Sequence, residues 1–238
     1  MAARSGAPVG PHGKWVMQGP GQHRPLEQVQ LRLLCVPPVG IGGQCFHAWS
    51  RSLPATVEVL PLELPSRGLR MGEALPYAES LQQLVQDILQ GLGREVLSAK
   101  PFVVFGHSFG SWVAYEIVQE LARRASDGWP QPLKLYVSGY RAPQLCGSRH
   151  DPDRIQPALG ALYEDEFWEH FERRYGRNPD LQVDYIRSFV VRTLQADFTL
   201  LEAYVPSSLE PLAVPLCACC ARGDSRVRPG QLSAWAKV

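Results

Sequence analysis

The stretch FVVFGHSFGSWVAYE, residues 102–116, carries the strongest local signal in the sequence. Four apolar residues predict a buried strand, and the apolar spacing after Gly110 predicts a helix. Ser108 lies between them, with a glycine two positions before it and another two positions after it. Such glycines let the backbone pass itself closely at a strand-to-helix corner, which exposes the serine hydroxyl. The pattern predicts a nucleophile elbow; the alternative is a serine that only caps a helix.

The segments around this corner alternate between strand and helix patterns. Residues 30–36, 56–64 and 133–140 (QLRLLCV, TVEVLPLEL and LKLYVSGY) have the β-branched and leucine content of buried parallel strands. Residues 80–97 place leucine, valine and isoleucine at three- and four-residue spacing, with Ser80 as a candidate cap. Strands that alternate with helices imply an α/β domain with a mostly parallel sheet and right-handed crossovers.

Two regions depart from this alternation. Residues 1–29 are dense in Gly and Pro and have no acidic residue before Glu27, which predicts a flexible leader or, alternatively, an organelle transit peptide. The folded domain is expected to span residues 30–238. Within it, residues 151–205 repeat apolar positions helically without a strand between them, which predicts a helical insertion. VPLCACCARGD then restores a strand and a loop, and QLSAWAKV starts another helix.

Composition excludes several classes of function. The 238 residues include 24 Lys plus Arg against 23 Asp plus Glu, so the formal net charge of +1 does not indicate nucleic acid or an anionic membrane as a partner. No apolar run approaches the roughly 20 residues of a membrane span, and no secretory signal follows the first Met. We therefore expect a soluble cytoplasmic protein, a monomer whose partners are small molecules or proteins.

The six cysteines lack the spacing of a disulfide framework and are expected to be reduced thiols. Three of them lie in the segment CACC. Along a strand, Cys217 and Cys219 would face one way and Cys220 the other, so the three thiols could not converge on a metal. We expect no metal and no other cofactor.

A nucleophilic serine needs a base and a carboxylate that orients the base. In the α/β-hydrolase order the acid follows the serine and the histidine comes last. Asp224, in the loop after CACC, is the candidate acid; alternatively it forms only an Asx turn in the sequence RGDS. No histidine follows Asp224. His107 adjoins Ser108, but neighbouring side chains diverge at such a turn, so we expect His107 to pack at the elbow.

Five separated motifs, in order, resemble the stand-alone type II thioesterases, which include the fatty acid synthase thioesterases that release medium chains. GHSFGSWVAYEIVQEL is similar to their nucleophile segment, and LPSRGLRMGE to their Pro-Gly-Arg-x-x-Arg segment, with Ser66 in place of the glycine. LYVSGYRAP, the lid segment TLQADFTLLEAY and the acid loop RGDSRV complete the set. The resemblance covers about residues 30–238 and implies an α/β-hydrolase fold with a lid at about 151–205.

The resemblance also implies roles for individual residues. VPPVGIGGQCFHAW is similar to the family's oxyanion stretch, which places the two backbone donors at Val39 and Phe109, although Gly42 and Gly43 offer a competing register. It assigns Asp224 as the acid. The family carries its histidine in a Gly-Gly-His-Phe segment after one more strand. We therefore expect the sequence to be a truncated form that lacks the final strand, the final helix and the base, and to be nearly inactive by itself.

The implied substrate is an acyl thioester on the phosphopantetheine arm of an acyl carrier protein or of a carrier domain in a fatty acid, polyketide or peptide synthase. Aromatic residues of the insertion are candidates to line an acyl channel or, equally, to pack the lid against itself: Phe167, Trp168, Phe171, Tyr185 and Phe189. The alternative from another class is a non-catalytic protein of hydrolase fold that binds acyl chains or carrier domains. A lipase or carboxylesterase shares the elbow but does not account for PSRGLR or the lid.

Overall fold

The computed structural model describes residues 12–17 and 24–238. Within these residues, a five-stranded parallel sheet has the order β2-β1-β3-β4-β5. The strands are β1 (Leu31–Val36), β2 (Val57–Pro61), β3 (Phe102–His107), β4 (Leu135–Ser138) and β5 (Leu216–Cys219). Each overlaps a segment predicted as a strand, because buried parallel strands are recognisable as short continuous apolar runs. Strand β3 extends two residues beyond the predicted run FVVF, to His107. The α/β fold with a parallel sheet is confirmed.

Helices cover both faces of the sheet and its carboxyl-terminal edge. They are α1 (Trp49–Ser52), α2 (Leu81–Ser98), α3 (Phe109–Arg123), α4 (Glu164–Tyr175), α5 (Asp184–Glu202) and α6 (Pro229–Ser233). Both α4 and α5 fall inside the predicted insertion, and α6 begins near the predicted last helix. No helix of the described residues is long and apolar enough to cross a membrane.

Helix α2 shows how the sequence sets its own boundaries. The Ser80 hydroxyl accepts a hydrogen bond from the Gln83 backbone N–H at 3.1 Å, as the cap prediction requires. The predicted apolar positions are buried along one face of the helix. Gly93, at φ 75°, kinks the helix because its backbone leaves the helical region. The helix then ends at Ser98, directly before β3.

The core has two parts, one on each face of the sheet. Alternate residues of β1 divide between them: Leu34 belongs to the larger part with α2 and α3, and Cys35 to the smaller part with α1. Trp112 of α3 is fully buried in the larger part, and its indole N–H donates to the carbonyl of Arg141 at 2.8 Å. This packing fixes the start of α3, and therefore the corner that precedes it, against the sheet.

The prediction of a flexible leader is wrong for residues 12–17. Trp15 and Val16 are buried, and Val16 forms an antiparallel bridge with Leu62 just beyond β2. The Arg70 guanidinium lies 3.8 Å from the Trp15 ring centroid. The apolar run WVM gives these residues enough surface to bury in spite of the surrounding Gly and Pro. Residues 1–11 and 18–23 of the predicted leader lie outside the described residues. Residues 24–29 are described, and Val29, two residues before β1, is buried.

Candidate active site

Ser108 occupies the corner between β3 and α3 with φ 53° and ψ −123°. A positive φ is strained for a residue with a side chain, and such strain persists only where surrounding contacts impose it. Ser138 imposes it here, because its carbonyl accepts from the Ser108 N–H at 2.8 Å. The Ser111 hydroxyl donates to the carbonyls of Gly106 and Ser138 at 3.0 and 3.1 Å. The corner is therefore tied to the end of β4.

The two flanking glycines are required by close backbone approaches. A Cβ on Gly106 would lie 2.0 Å from the Gly110 carbonyl oxygen, and a Cβ on Gly110 would lie 2.3 Å from the Val36 carbonyl oxygen. The Ser108 side chain makes no capping hydrogen bond to α3. The alternative of a serine that serves only as a helix cap is therefore wrong, and no hydrogen bond from the described residues engages the hydroxyl.

Ser108 and Asp224 line one cavity of about 300 Å³ at the carboxyl-terminal edge of the sheet. The sheet loops supply one side of it and the lid helices the other. Its lining residues are Pro38, Val39, His107, Ser108, Gly139, Tyr140, Arg141, Asp151, Pro152, Phe171, Tyr175, Leu194, Phe198, Leu201, Asp224, Arg226 and Val227. The mixture of apolar walls with a few polar groups is typical of a site that binds a small molecule.

Asp224 both shapes its loop and faces the cavity. Its Oδ1 accepts from the N–H groups of Arg226 and Val227 at 2.8 and 3.0 Å, which is the predicted Asx turn. No donor among the described residues bonds its Oδ2. The two alternatives considered for this residue are compatible, because one oxygen holds the turn while the other can orient a further group.

The loop after β1 supplies Val39 to the same cavity. Within residues 12–17 and 24–238, neither the Val39 N–H nor the Phe109 N–H donates a hydrogen bond to a protein acceptor. The backbone of Gly42 and Gly43, which define the competing register, faces Glu63 instead of the cavity. The Gly43 N–H donates to Glu63 Oε2 at 3.0 Å, and a Cβ on Gly42 would lie 2.8 Å from Glu63 Oε1. Both glycines are buried away from the cavity, which favours the register that assigns Val39 as the second donor.

His107 differs from its predicted position. It is exposed and lines the cavity instead of packing inside the elbow, because its side chain turns towards the end of β4. Its Nδ1 lies 3.1 Å from the Ser138 hydroxyl. Partial burial lowers the pKa of His107 below its usual 6.5, while the contact with Ser138 and the charge of Asp224 act in the opposite direction. Among the described histidines, His107 alone lines the cavity.

Of the five aromatic residues proposed for the acyl channel, the cavity lining includes only Phe171. Phe167 and Trp168 are buried inside the lid, with ring centroids 5.2 Å apart. Tyr185 is 79% exposed and Phe189 50% exposed, and Phe189 lines a separate surface cleft. The channel expectation is corrected for Tyr185 and Phe189, because α5 turns the face that carries Leu194, Phe198 and Leu201 towards the cavity. For Phe167 and Trp168 of α4 the structure favours the alternative, in which they pack the lid against itself.

Sequence reasoning missed a cluster of charged and aromatic residues on the cavity wall. Arg141 pairs with Asp151 at 3.2 Å, and the Arg226 guanidinium lies 4.5 Å from the Tyr175 ring centroid. Arg226 also pairs with Asp153 at 2.9 Å. One signal was present in the sequence: Arg141 directly follows the end of a predicted parallel strand, where ligand-binding residues concentrate. The Arg141–Asp151 pair joins the segment after β4 to the lid, and the Arg226–Asp153 pair joins the lid to the loop that carries Asp224.

Comparison with known proteins identifies the family. The family model of the thioesterase domain matches residues 31–232. The chain belongs to the thioesterase family. The thioesterase is 30% identical over 208 residues to the gramicidin S biosynthesis protein GrsT of Aneurinibacillus migulanus, which covers 87% of this chain and 75% of GrsT. It is also 30% identical over 178 residues to the medium-chain S-acyl fatty acid synthase thioesterase of Rattus norvegicus, covering 73% and 62% of the two chains.

Solved structures agree with this assignment. RedJ, a thioesterase from the prodiginine biosynthetic pathway of Streptomyces coelicolor, matches the thioesterase with a TM-score of 0.74 at 29% identity. The match covers 90% of this chain and 75% of RedJ. The resemblance inferred from five motifs is confirmed, and with it the α/β-hydrolase fold and the classification of the chain as a hydrolase.

Proposed function

We propose that this thioesterase hydrolyses acyl thioesters carried on the phosphopantetheine arm of an acyl carrier protein or carrier domain, with Ser108 as the nucleophile. The observation that carries the proposal is the strained corner at Ser108, which opens into the same cavity as Asp224. The cavity walls are largely apolar, as an acyl chain requires. The relatives named above include proteins of gramicidin S and prodiginine biosynthesis and a fatty acid synthase thioesterase, which supports a substrate of the carrier-bound class.

In the first half of the reaction, the Ser108 hydroxyl attacks the thioester carbonyl and gives its proton to a base. The carbonyl oxygen becomes an oxyanion, which the N–H groups of Val39 and Phe109 stabilise. Both groups are suited to this role because no described acceptor engages them. The C–S bond then breaks, the protonated base returns the proton to the departing thiolate, and an acyl-Ser108 ester remains.

In the second half, the base takes a proton from water, and the resulting hydroxide attacks the acyl-Ser108 carbonyl. The C–O bond to Ser108 breaks, the serine recovers a proton and the free acid leaves. Asp224 Oδ2 orients the base and stabilises its charged form. The resemblance implies that this base is the histidine of a Gly-Gly-His-Phe segment. His107, the one described histidine that lines the cavity, has its Nδ1 engaged by Ser138.

The apolar wall formed by Phe171, Leu194 and Phe198 holds the acyl chain. Each buried methylene contributes about 0.8 kcal/mol, so this wall favours acyl chains of several carbons over acetyl. The polar rim formed by Arg141, Asp151 and Arg226 faces the other side of the cavity. The charges of this rim are mostly paired within the protein. We therefore place the acyl chain against the apolar side of the cavity.

Two measurements on the native protein test the proposal: labelling of Ser108 by a fluorophosphonate, located by mass spectrometry, and hydrolysis of decanoyl-carrier protein. We expect both for the wild type, neither for Ser108→Ala, and near-normal rates for His107→Gln. Binding of decanoyl-carrier protein without labelling or turnover would instead support the non-catalytic alternative. Full activity in Ser108→Ala would overturn the assignment of the nucleophile.

A further inference from the structure

A carboxylate that the proposed mechanism does not use lies behind the oxyanion loop. Asp197, on lid helix α5, is completely buried. Its Oδ2 accepts from the Gly40 backbone N–H at 2.7 Å and from Arg67 Nη1 at 2.9 Å. Its Oδ1 accepts from Arg67 Nη2 at 2.7 Å and from the Tyr77 hydroxyl. One side chain of the lid thus binds two separate loops of the sheet edge.

The first of these loops is the one that presents Val39. Gly40 adjoins Val39, and its φ of +70° turns its N–H towards Asp197. A Cβ on Gly40 would lie 2.2 Å from Leu194 Cδ2, so α5 also packs directly on this residue. Arg67 completes the arrangement because its Nη1 also donates to the Ile41 carbonyl at 3.3 Å. The loop on both sides of Gly40 is therefore held by groups that converge on Asp197.

Stability alone does not explain why this position is a carboxylate. Replacing a buried ion pair by well-packed apolar residues is often neutral or stabilising. An apolar residue at position 197 would also continue the stripe of Leu194, Phe198 and Leu201 that buries this face of α5. A carboxylate, unlike an apolar side chain, can fix the direction of a backbone N–H. The direction fixed here is that of the peptide following Val39.

We propose that Asp197 is a positioning residue for the oxyanion hole. Through the Gly40 N–H it sets the orientation of the loop that carries the Val39 donor, so that the donor is in place only when α5 is seated on the sheet. The inference rests on the proposed function. It adds a coupling between the lid and the oxyanion hole that neither the elbow nor the acid loop supplies.

The test compares Asp197→Ala and Asp197→Asn with Glu58→Gln. Glu58 forms an equally buried ion pair with Arg32 at 2.7 Å, at the opposite edge of the sheet, and serves as the matched control. The substrates are acetyl and decanoyl thioesters of N-acetylcysteamine, assayed well below the melting temperature of each variant. Loss of one oxyanion donor costs about 10²- to 10³-fold in kcat, and an indirectly displaced donor should cost less.

We expect Asp197→Ala to lower kcat by about 30-fold on both substrates with little change in KM, below the loss for a deleted oxyanion donor. Asp197→Asn should lose less, because its amide oxygen can still accept from the Gly40 N–H. Glu58→Gln should keep kcat within about twofold, as expected for a change outside the site. A loss that grows with acyl-chain length and appears in KM would mean that Asp197 only supports the acyl wall.

Equal kcat losses in Asp197→Ala and Glu58→Gln would mean that the role of Asp197 is merely structural. Either result overturns the proposal.

Hydrogen exchange of the loop 37–43 separates this inference from the proposed function. Asp197→Ala should accelerate exchange at the Gly40 amide, Asp197→Asn should do so to a smaller extent, and Glu58→Gln should not. If the wild type hydrolyses neither substrate, the proposed function fails, whereas the exchange data still decide whether Asp197 orients the loop. Unchanged exchange at Gly40 in both variants overturns the positioning role whatever the activity.

Discussion

Two buried ion pairs at opposite edges of the sheet invite comparison. Arg32 of β1 pairs with Glu58 of β2 at 2.7 Å, between residues that are also in register in the sheet. Arg67 pairs with Asp197 at the same distance, but it joins a loop to a lid helix. All four side chains are at most 6% exposed. The two pairs are chemically alike, yet one joins adjacent strands and the other joins parts that are far apart in the sequence.

The surroundings of the two pairs differ in backbone strain. At the carboxyl-terminal edge, Ser66 and Ser108 have φ values of 62° and 53°, which are costly for residues with side chains. No residue of β1 or β2, where Arg32 and Glu58 lie, has a positive φ. Strain of this kind concentrates at functional sites, because the surrounding structure must hold it in place. The two pairs are equally buried, but only the Arg67–Asp197 pair lies beside strained backbone, as expected of a pair that orients a site.

Ser108→Ala should cause the largest loss of kcat. It should not affect the amino-terminal edge of the sheet, where Arg32 pairs with Glu58. Removal of the nucleophile of a serine hydrolase costs about 10⁵-fold or more in kcat. The backbone conformation, the bond to the Ser138 carbonyl and the glycine contacts all remain, so the melting temperature should stay within about 2 °C, the shift that a few tenths of a kcal/mol produces. Steady-state hydrolysis of decanoyl-carrier protein and thermal melts measure the two quantities. Loss of activity together with stability would show that the corner serves folding instead of chemistry.

Asp224→Asn distinguishes the two roles of the Asp224 side chain and should cause the second-largest loss of kcat. The amide oxygen can replace Oδ1 as acceptor for the N–H groups of Arg226 and Val227, so the turn should persist. The negative charge that stabilises the protonated base is lost, which in serine hydrolases costs about 10³- to 10⁴-fold in kcat. Kinetics and amide exchange of the loop 221–227 provide the measurement. A variant with normal kcat would reduce Asp224 to a structural turn residue.

The sequence predicted the strands and the corner because each depends on local patterns. Short buried apolar runs specify β1 and β3, and two glycines at fixed spacing specify the elbow. The resemblance also identified Ser66 as a position where the family has glycine. Ser66 has a φ of 62°, and glycine adopts such a conformation without strain. The Ser66 hydroxyl donates to the Glu73 carbonyl at 2.8 Å, which compensates for part of the strain.

The sequence could not predict which face of a lid helix meets the cavity. Phe189 and Phe198 both fit an apolar stripe on α5, but only tertiary packing decides that Phe198 faces inward and Phe189 outward. One signal was overlooked. Asp197 lies within the apolar positions Leu194, Phe198 and Leu201, and a carboxylate at such a position must be paired when the helix packs. Its partner, Arg67, is 130 residues away, and local patterns carry no information about such a pair.

Glu58→Gln should destabilise the protein without affecting catalysis. This result would separate the Arg32–Glu58 pair, which affects stability, from the Arg67–Asp197 pair, which affects kcat. Removal of one charge leaves Arg32 buried without its ion-pair partner, at a cost of about 3 kcal/mol. Burial alone would raise the pKa of Glu58, but hydrogen bonds from His12 and Arg32 lower it to about 2. Its stabilising contribution is therefore present above the unfolded pKa of 4.5 and is lost as pH falls towards 2.

Urea unfolding of the wild type and Glu58→Gln between pH 3 and pH 7 checks this prediction. The stability difference between the two proteins should shrink steadily as the pH falls. A constant difference across this range would mean that packing, and not the charge of Glu58, accounts for the loss. Reduced kcat at pH 7 in the folded variant would contradict the separation of the two edges.

Gly110→Ala should cost about 2 kcal/mol of unfolding free energy and also lower kcat, because the added methyl overpacks the site. The new Cβ would lie 2.3 Å from the Val36 carbonyl oxygen and 2.7 Å from that of Pro37. Both atoms lie where β1 passes into the loop that carries Val39, so relief of the clash displaces that loop. Gly72→Ala is the matched control, because a Cβ there has no atom of the described residues within 4 Å. Equal stability of the two variants would show that the corner is not close-packed.

Glu63→Gln should produce the smallest effect, no larger than one hydrogen bond, about 1 kcal/mol. Glu63 lies beneath the oxyanion loop, where its Oε2 accepts from the Gly43 N–H and its Oε1 is buried without a partner among the described residues. Burial raises the pKa of Glu63, although the Gly43 hydrogen bond and the charges of Arg67 and Arg70 oppose this. A raised carboxyl pKa favours folding below the unfolded pKa, and this contribution is lost as pH rises through the folded pKa.

The stability of Glu63→Gln relative to the wild type should therefore increase between pH 4 and pH 8 in urea unfolding. Glu73→Gln is the control of opposite sign. A hydrogen bond from Arg70 is the main cause that lowers the pKa of Glu73 to about 2, so this variant should lose stability relative to the wild type as pH rises from 2 to 6. If the relative stability of both variants changed with pH in the same direction, ionisation of Glu63 would not destabilise the folded protein. The loop behind Val39 would then not hold a buried carboxyl that resists ionisation.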